Sequence, residues 1–278
     1  MGGYGMKSKT TRIVMAVMLA AILLVGGGFA IKWYLDSSPV VFNDPALEKA
    51  VRSSLGISER PITHKEAGMI VELDLSLMEG YNKEITDLTG LSAFRGVQKL
   101  NLANNMITDI SELSKLKKLK MLHLEGNQVS DVSALSSLRQ LEFLDLQGNK
   151  VSDISALKRL RNLMVLDLRD NKISDISSIS AMKQMQCLYL GGNEIRDIRP
   201  LEPLVKIVYL SMGENEIENI EPIRDMKGLH HLLAAYNRIG DISVLGDLPG
   251  LEYLDVRGNP IDSGFTLDDM PDSCEVIQ

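Results

Sequence analysis

The feature that most constrains the fold of this chain is a 22-residue phrase that recurs eight times, without insertion or deletion, between Val97 and Ile261. Two clear copies are LEFLDLQGNKVSDISAL and LMVLDLRDNKISDISSI. A fixed period of this length predicts a solenoid, in which each repeat forms one coil and stacks on its neighbours. One asparagine marks each coil, at Asn105, Asn127, Asn149, Asn171, Asn193, Asn215, Asn237 and Asn259.

The apolar residues of each phrase predict how a coil is built. Leu144 and Leu146 alternate ahead of Asn149, and period two places both side chains on one face of a strand. After the asparagine, apolar residues come every three positions from Val151 to Leu160. That spacing favours tight 3₁₀ turns. Stacked coils of this kind would share a continuous aliphatic core, with a parallel sheet along one wall.

The phrase resembles the 22-residue leucine-rich repeat, LxxLxxLxLxxNxIxxIxxL, and its I-S-D-I-S segment resembles bacterial internalin-like proteins. The resemblance covers about residues 43–278. It implies an α/β fold: a right-handed solenoid with a parallel β-sheet on the concave face, short 3₁₀ or helical turns on the convex face and an N-terminal helical cap. It also implies that each asparagine side chain bonds to backbone groups of its own and neighbouring coils. The backbone groups of a buried turn must form hydrogen bonds. Asparagine can provide these bonds, because its short amide carries both donors and an acceptor.

The N-terminal residues predict a membrane anchor. Residues 1–12 carry three basic residues and no acid, and residues 13–31 carry no charge. A helix over residues 13–31 would be about 28 Å long, close to the roughly 30 Å hydrocarbon core. Trp33 and Tyr34 follow, where aromatic residues favour the membrane interface. We therefore expect a basic cytoplasmic tail over 1–12, a single transmembrane span over 13–31, and extracellular repeats at the cell membrane.

Two other interpretations of the N-terminus stay open. Small residues at Gly28 and Ala30 fit a signal peptidase site, so the protein is secreted if it is cleaved near Ala30. The third interpretation is a cytosolic scaffold like the phosphatase-regulator proteins, which share the repeat length, but the uncharged run over 13–31 disfavours it. Beyond residue 35 the chain has 26 basic and 37 acidic residues. This acidic balance predicts no nucleic-acid partner.

Residues 32–42 predict a linker, and residues 43–70 predict the helical cap. Asp44 occupies the N-cap position of a first helix, and Gly56 ends that helix. Thr63 opens a capping box for a second, shorter helix. The cap should cover apolar side chains that the first coil would otherwise expose.

Residues 71–278 are predicted to form the repeat region with its C-terminal closing segment. Its first coil is irregular, because five extra residues fall near residues 79–83. At the other end the phrase breaks after Phe265, and residues 274–277 are expected to add a closing strand. The two cysteines, Cys187 and Cys274, are too few for a disulfide framework, and their redox state stays open.

The outward-facing strand positions are the predicted partner-binding face. They lie six and four residues before each asparagine, and almost all the aromatic residues of the repeats fall there or one residue before the asparagine. An apolar and aromatic stripe on a rigid sheet suits protein binding, although rings excluded from a leucine-sized core would also favour strands. The candidate partner-binding residues are Met121, His123, Phe143, Asp145, Val165, Asp167, Arg169, Tyr189, Tyr209, Leu233, Tyr236, Tyr253, Asp255 and Arg257.

The sequence predicts neither a catalytic site nor a bound cofactor or metal. Ser211 lies four coils from His123, about 19 Å at the strand spacing, which is too far for a nucleophile and its base. His123 and Asp145 stand in one column and should form a solvated pair. A separate set of acids stands four residues after six of the eight asparagines and is interrupted by Asn219. These acids have the position of turn caps rather than of a calcium cage. A non-enzymatic protein-binding module is therefore favoured, and a polysaccharide-binding sheet is the alternative.

Overall fold

The computed structural model describes residues 36–77, 84–262 and 274–277, and in these residues every strand belongs to one parallel sheet. The order β1 to β10 across the sheet is the order along the chain. This confirms the predicted solenoid with one sheet wall. The strands are β1 (Glu72–Asp74), β2 (Lys99–Asn101), β3 (Met121–His123), β4 (Phe143–Asp145), β5 (Val165–Asp167), β6 (Cys187–Tyr189), β7 (Tyr209–Ser211), β8 (His231–Leu233), β9 (Tyr253–Asp255) and β10 (Glu275–Ile277).

The strand register follows the repeat. From β2 onward, paired residues are 22 apart, as in Leu122 beside Leu144. Between β1 and β2 the offset is 27, because Glu72 pairs with Lys99, so the five extra residues of the first coil are confirmed. β10 pairs with β9 at the 22-residue offset, which confirms the closing strand although the phrase breaks before it.

Tight 3₁₀ turns lie opposite the strands, as the three-residue apolar steps predict. The middle residue of each strand from β2 to β9 and the apolar residues of the turns form one buried aliphatic cluster. These turns are η1 (Leu91–Ala93), η2 (Ser111–Lys115), η3 (Ser133–Ser137), η4 (Ser155–Arg159), η5 (Ser177–Ala181), η6 (Arg199–Leu201), η7 (Glu221–Ile223) and η8 (Ser243–Asp247).

The asparagines form a ladder through the interior, as the resemblance implies. Asn149 Oδ1 accepts from the backbone N–H of Val129 at 2.9 Å, and Nδ2 donates to the carbonyls of Leu124, Leu146 and Gln147 at 2.9, 3.0 and 3.2 Å. The same four bonds recur at all eight asparagines, from Asn105 to Asn259. Each amide thus joins its own coil to the preceding one and satisfies buried backbone groups.

The acids four residues after the asparagines cap the 3₁₀ turns. Asp153 accepts from the backbone N–H of Ser155, the first residue of η4, at 2.7 Å. Asp109, Asp131, Asp175, Asp197 and Asp241 do the same, and Asn219 replaces the acid at η7. Each acid lies one residue before the N-cap. The N-cap position itself is occupied by an isoleucine or valine, such as Ile154 at η4.

The cap has two helices, α1 (Pro45–Leu55) and α2 (His64–Ala67). Asp44 caps α1 by accepting from the N–H of Ala46 at 2.7 Å, and Gly56 ends it in the left-handed conformation. Thr63 and Glu66 form the predicted capping box around α2. The predicted N-terminal helical cap is therefore confirmed as part of the fold.

Asp44 also joins the cap to the first coil. Its Oδ2 accepts from the backbone N–H groups of Thr86 at 2.8 Å and Asp87 at 3.2 Å. Burial acts to raise the pKa of Asp44, but the hydrogen bonds to Thr86, Asp87 and Ala46 outweigh it and hold the pKa below its ordinary value. One carboxylate thus orders two elements that are about 40 residues apart in the chain.

The residues predicted to form the cytoplasmic tail and the anchor, 1–12 and 13–31, lie outside the described residues, as does the first part of the linker. Within residues 36–77, 84–262 and 274–277, no helix has both the length and the apolar character needed to cross a membrane.

Candidate functional site

The outer face of the sheet is the side that points away from the buried aliphatic cluster, and it presents two columns of side chains. Each strand from β3 to β9 buries its middle residue and turns its first and third residues outward. The register stacks these residues coil upon coil, as the sequence predicts. The first column runs Lys99, Met121, Phe143, Val165, Cys187, Tyr209, His231 and Tyr253; the second runs Asn101, His123, Asp145, Asp167, Tyr189, Ser211, Leu233 and Asp255.

Four rings on strands β6 to β9 form a continuous aromatic row. The ring centroids of Tyr189 and Tyr209 are 5.1 Å apart, those of Tyr209 and His231 are 5.4 Å apart, and those of His231 and Tyr253 are 6.1 Å apart. All four side chains are partly exposed. The candidate set omitted His231, although its position in the first column was readable from the repeat.

Three metal-ligating side chains form a His-acid cluster on β3 and β4. One potential ligand atom from each of His123, Glu125 and Asp145 lies within 4.8 Å of the other two. His123 Nδ1 is 3.6 Å from Glu125 Oε2. The sequence predicted a pair between His123 and Asp145, and it missed Glu125 as the third member because Glu125 follows β3 instead of belonging to either column.

The His-acid cluster crowds negative charge. Burial, reinforced by the charges of Asp167 and Glu125, raises the pKa of Asp145 to about 6, although the backbone N–H of Gln147 and the nearby His123 act in the opposite direction. The ring of Phe143 lies against the imidazole of His123, with centroids 4.6 Å apart. Close to neutral pH, this part of the sheet therefore holds a carboxylate that is costly to ionise.

Asp167 and Arg169 link the His-acid cluster to the aromatic row. Asp167 is buried, and its carboxylate accepts two bonds of 3.0 Å from Arg169 Nε and one of 2.6 Å from a terminal guanidinium nitrogen. The same terminal nitrogen of Arg169 donates to Gln147 at 3.0 Å. The guanidinium carbon lies 5.2 Å from the ring centroid of Tyr189, a cation–π distance.

Asp255 and Arg257 repeat this arrangement at β9. Arg257 donates to both carboxylate oxygens of Asp255, at 2.9 and 2.7 Å. These bonds lower the pKa of Asp255 in spite of its burial. Asp167 and Asp255 were predicted to lie on the outward-facing, partner-binding surface. Both are only 5 % exposed, because the arginine two residues later covers each carboxylate. At the coils of β5 and β9, the outer face therefore presents arginine and not a free carboxylate.

Tyr236 lies beside the columns, directly before the asparagine of its coil. It is 58 % exposed and has a φ of 56°. The residue before the asparagine is left-handed in every coil, and four of the eight are glycine: Asn104, Gly126, Gly148, Asp170, Gly192, Glu214, Tyr236 and Gly258. The ring of Tyr236 packs on Gly258 of the next coil, where an added Cβ would lie 2.5 Å from Cδ1 of the ring.

The comparisons with known proteins agree with this architecture. A family profile described as Leucine Rich repeats (2 copies) matches residues 95–137 and 139–181. No curated protein matches the chain. The crystal structure of internalin InlF from Listeria monocytogenes is 28 % identical, covers 87 % of this chain and 77 % of its own, and superposes with a TM-score of 0.72. Internalin C2 from the same species is 28 % identical, covers 87 % and 97 %, and gives 0.70.

The chain is an internalin-like leucine-rich repeat protein. A leucine-rich repeat protein of Leptospira interrogans shares the fold at 22 % identity, covering 77 % of this chain and 62 % of its own, with a TM-score of 0.62. The buried positions of this internalin-like chain are alike from coil to coil. The coils therefore differ from one another mainly in the residues of the two outer columns.

The other candidate residues of this internalin-like protein lie where the columns place them. Met121, Val165 and Leu233 are partly exposed apolar residues between the rings and charges. Cys187 stands in the first column between Val165 and Tyr209 as a free thiol, and burial raises its pKa. Cys274, directly before β10, is also a free thiol with a pKa that burial raises.

Proposed function

We propose that this internalin-like chain is a non-enzymatic binding module whose protein partner docks on the outer face of the sheet. The observation that carries the proposal is the aromatic row of Tyr189, Tyr209, His231 and Tyr253. The interior of the coils does not require it, because every strand from β2 to β9 already buries its central leucine.

A row of partly exposed rings on a hydrogen-bonded sheet suits the energetics of protein recognition. Aromatic side chains bury a large area for the loss of only two rotatable bonds, and hot spots of interfaces are rich in tyrosine. The strands below are fixed by the ladder of backbone bonds and by the asparagines. Little conformational entropy is therefore left for the partner to remove on binding.

Charges beside the aromatic row would select and orient the partner. Arg169 and Arg257 expose guanidinium groups whose charge is matched by a buried aspartate, whereas the His-acid cluster is predominantly negative. A partner that presents basic groups toward β3 and β4 and apolar side chains toward β6 to β9 would be complementary.

A polysaccharide partner is less well supported. Sugar binding to aromatic residues uses free ring faces, and Tyr209 and Tyr253 have such faces only if they are isolated. Tyr209 instead contacts rings on both sides, and Tyr253 contacts His231. Neighbouring rings therefore take up space beside the ring faces that a sugar would need. A glycan array with the purified chain tests this alternative directly, and specific glycan binding that Tyr209→Ala removes would replace the protein-binding proposal.

The binding face is tested by the double variant Phe143→Ala with Tyr209→Ala. We expect the affinity for a protein partner identified by crosslinking to fall by about 30-fold or more, the effect of losing a hot spot of 2 kcal/mol. The matched control is Val205→Ala, which truncates an apolar residue that is 52 % exposed and lies outside the strands. Unchanged affinity in the double variant, with an unchanged melting temperature, would refute the proposed face.

The same proposal places the repeats outside the cell, anchored in the membrane by residues 13–31. The support is the uncharged run behind a basic tail. Intact mass of the protein from a membrane fraction, combined with protease shaving of whole cells, tests it. Full-length mass with shaved repeats is expected. A mass that begins near Ile31 in the medium would mean secretion after cleavage, and protected repeats in the soluble fraction would mean a cytosolic scaffold.

A further inference from the structure

The His-acid cluster places three potential ligand atoms close to one another on the sheet. His123 Nδ1 and Glu125 Oε2 are 3.6 Å apart, and with a carboxylate oxygen of Asp145 the three atoms lie within 4.8 Å of one another. Neighbouring ligand atoms around a tetrahedral Zn²⁺ are about 3.3 Å apart, given metal–ligand bonds of about 2.0–2.2 Å. The His123–Glu125 separation is already close to that value.

We propose that His123, Glu125 and Asp145 bind one divalent transition-metal ion, with Zn²⁺ as the ion that fits the ligands best. Imidazole nitrogen and carboxylate oxygen are both zinc ligands, and imidazole nitrogen favours a transition metal over calcium or magnesium. Calcium and magnesium fit poorly, because both prefer oxygen ligands and calcium takes six to eight of them.

An unsatisfied buried atom supports the proposal independently of the spacing. Glu125 Oε2 is fully buried and accepts no hydrogen bond, although the rest of the glutamate side chain is 28 % exposed. A buried carboxylate oxygen without a hydrogen-bond partner is energetically unfavourable. This is the oxygen that faces His123 Nδ1, so a metal between the two atoms would satisfy it.

The surroundings orient the ligands without neutralising them. Phe143 packs against the imidazole of His123, and Asp145 Oδ1 accepts from the backbone N–H of Gln147 at 2.9 Å. Contacts of this kind hold metal ligands in place. Arg169, in the coil that follows Asp145, is already bound to Asp167 and Gln147. Among the described residues, no lysine or arginine forms an ion pair with Glu125 or Asp145.

The other coils provide an internal comparison. The residue two before the asparagine is acidic only at Glu125, in the set Ala103, Glu125, Gln147, Arg169, Gly191, Gly213, Ala235 and Arg257. At β5 and β9 an arginine in this position neutralises the aspartate of its own strand. The coil of β3 carries a histidine and a glutamate instead, and its neighbour adds Asp145. The repeat therefore brings three ligands together at one place on the sheet.

The test is calorimetric titration of Zn²⁺ into the untagged full-length chain at pH 7.5, after treatment with a chelator. Cys187→Ser with Cys274→Ser serves as the background, because thiols also bind zinc. We expect one ion per chain and an increase in melting temperature. His123→Ala and Asp145→Asn should each weaken binding by at least about tenfold, and His230→Ala, an exposed histidine away from the cluster, should leave it unchanged.

Cobalt spectroscopy distinguishes the ligands. Co²⁺ bound to this site should give the absorption of a nitrogen and oxygen ligand set, and the spectrum should be lost in His123→Ala. Absence of stoichiometric Zn²⁺ binding, or binding that survives His123→Ala in a chain with unchanged circular dichroism, would overturn the site. Because the measurement uses the chain without any partner, its outcome is independent of the proposed protein-binding function.

Discussion

The two halves of the outer face differ in chemistry although their backbones are the same. Strands β3 to β5 present histidine, carboxylates and one arginine around Phe143, whereas β6 to β9 present the aromatic row. Both halves keep the same register and the same buried leucine. The difference shows that the positions that specify the fold are separate from the positions that are free to specify a ligand.

The interior is where the two halves should be indistinguishable. Asn149 lies below the charged half and Asn215 below the aromatic half, and each is 8 % exposed. Each makes one bond as acceptor and three as donor to backbone groups of two coils.

The largest expected effect is therefore shared by the two halves. Asn149→Ala and Asn215→Ala should each lower the free energy of unfolding by about 3–4 kcal/mol. Each variant leaves one buried backbone N–H without a partner, that of Val129 or that of Ile195, and removes one of the two hydrogen bonds that each of three carbonyls accepts. Urea denaturation followed by circular dichroism measures both. A loss in one variant that exceeds the other by more than about 1 kcal/mol would show that the coils are not equivalent.

The second prediction is that removing an aspartate changes the free energy of unfolding in opposite directions in the two halves. In the charged half, the pKa of Asp145 is raised to about 6 from an ordinary value of 3.8, so the folded protein binds its proton more tightly than the unfolded chain. Stability should rise as the pH falls from 7.5 toward 4. Asp145→Asn should stabilise the metal-free protein at pH 7.5 by about 1–2 kcal/mol, allowing for solvent screening, and have little effect near pH 4.

The matched residue in the aromatic half should respond in the opposite direction. The pKa of Asp255 is lowered by its bonds to Arg257, so its contribution to stability is present at neutral pH and is lost as the pH falls below 3.8. Asp255→Asn should lower the free energy of unfolding at pH 7.5 by about 1–2 kcal/mol. Denaturation of both variants at pH 4 and 7.5 checks the pair, and stabilisation in both would mean that Arg257 does not compensate the burial of Asp255.

The fold could be predicted from the sequence because it is determined by the 22-residue repeat length and by the positions of the leucines and the asparagine within each repeat. The asparagine spacing, the first-coil insertion and the capping residues Asp44 and Thr63 are all local signals, and the structure confirms each. The contacts of Asp44 with Thr86 and Asp87 could not be predicted in this way, because they depend on how the cap packs against the first coil.

The outer face was harder to predict, because side-chain direction and burial decide its chemistry. The columns placed Asp167 and Asp255 correctly, but not their burial beneath arginine. A local signal for this exists, since D-x-R occurs at 167–169, 197–199 and 255–257 and forms the same ion pair each time. The sequence analysis did not join Glu125 to His123 and Asp145, because Glu125 follows β3 and belongs to neither column.

The smallest predicted effect is on the convex side, where the halves should again agree. Asp153 and Asp241 each accept from the backbone N–H of a serine at the start of a 3₁₀ turn, and this bond lowers the pKa of both carboxylates. Asp153→Ala and Asp241→Ala should each lower the melting temperature by about 1–2 °C at neutral pH, because an exposed cap contributes little. The difference from wild type should vanish below pH 3.8, as the carboxylates lose their charge. A larger loss at Asp241 than at Asp153 in differential scanning calorimetry would indicate that the halves differ in coil stability as well as in outer-face chemistry.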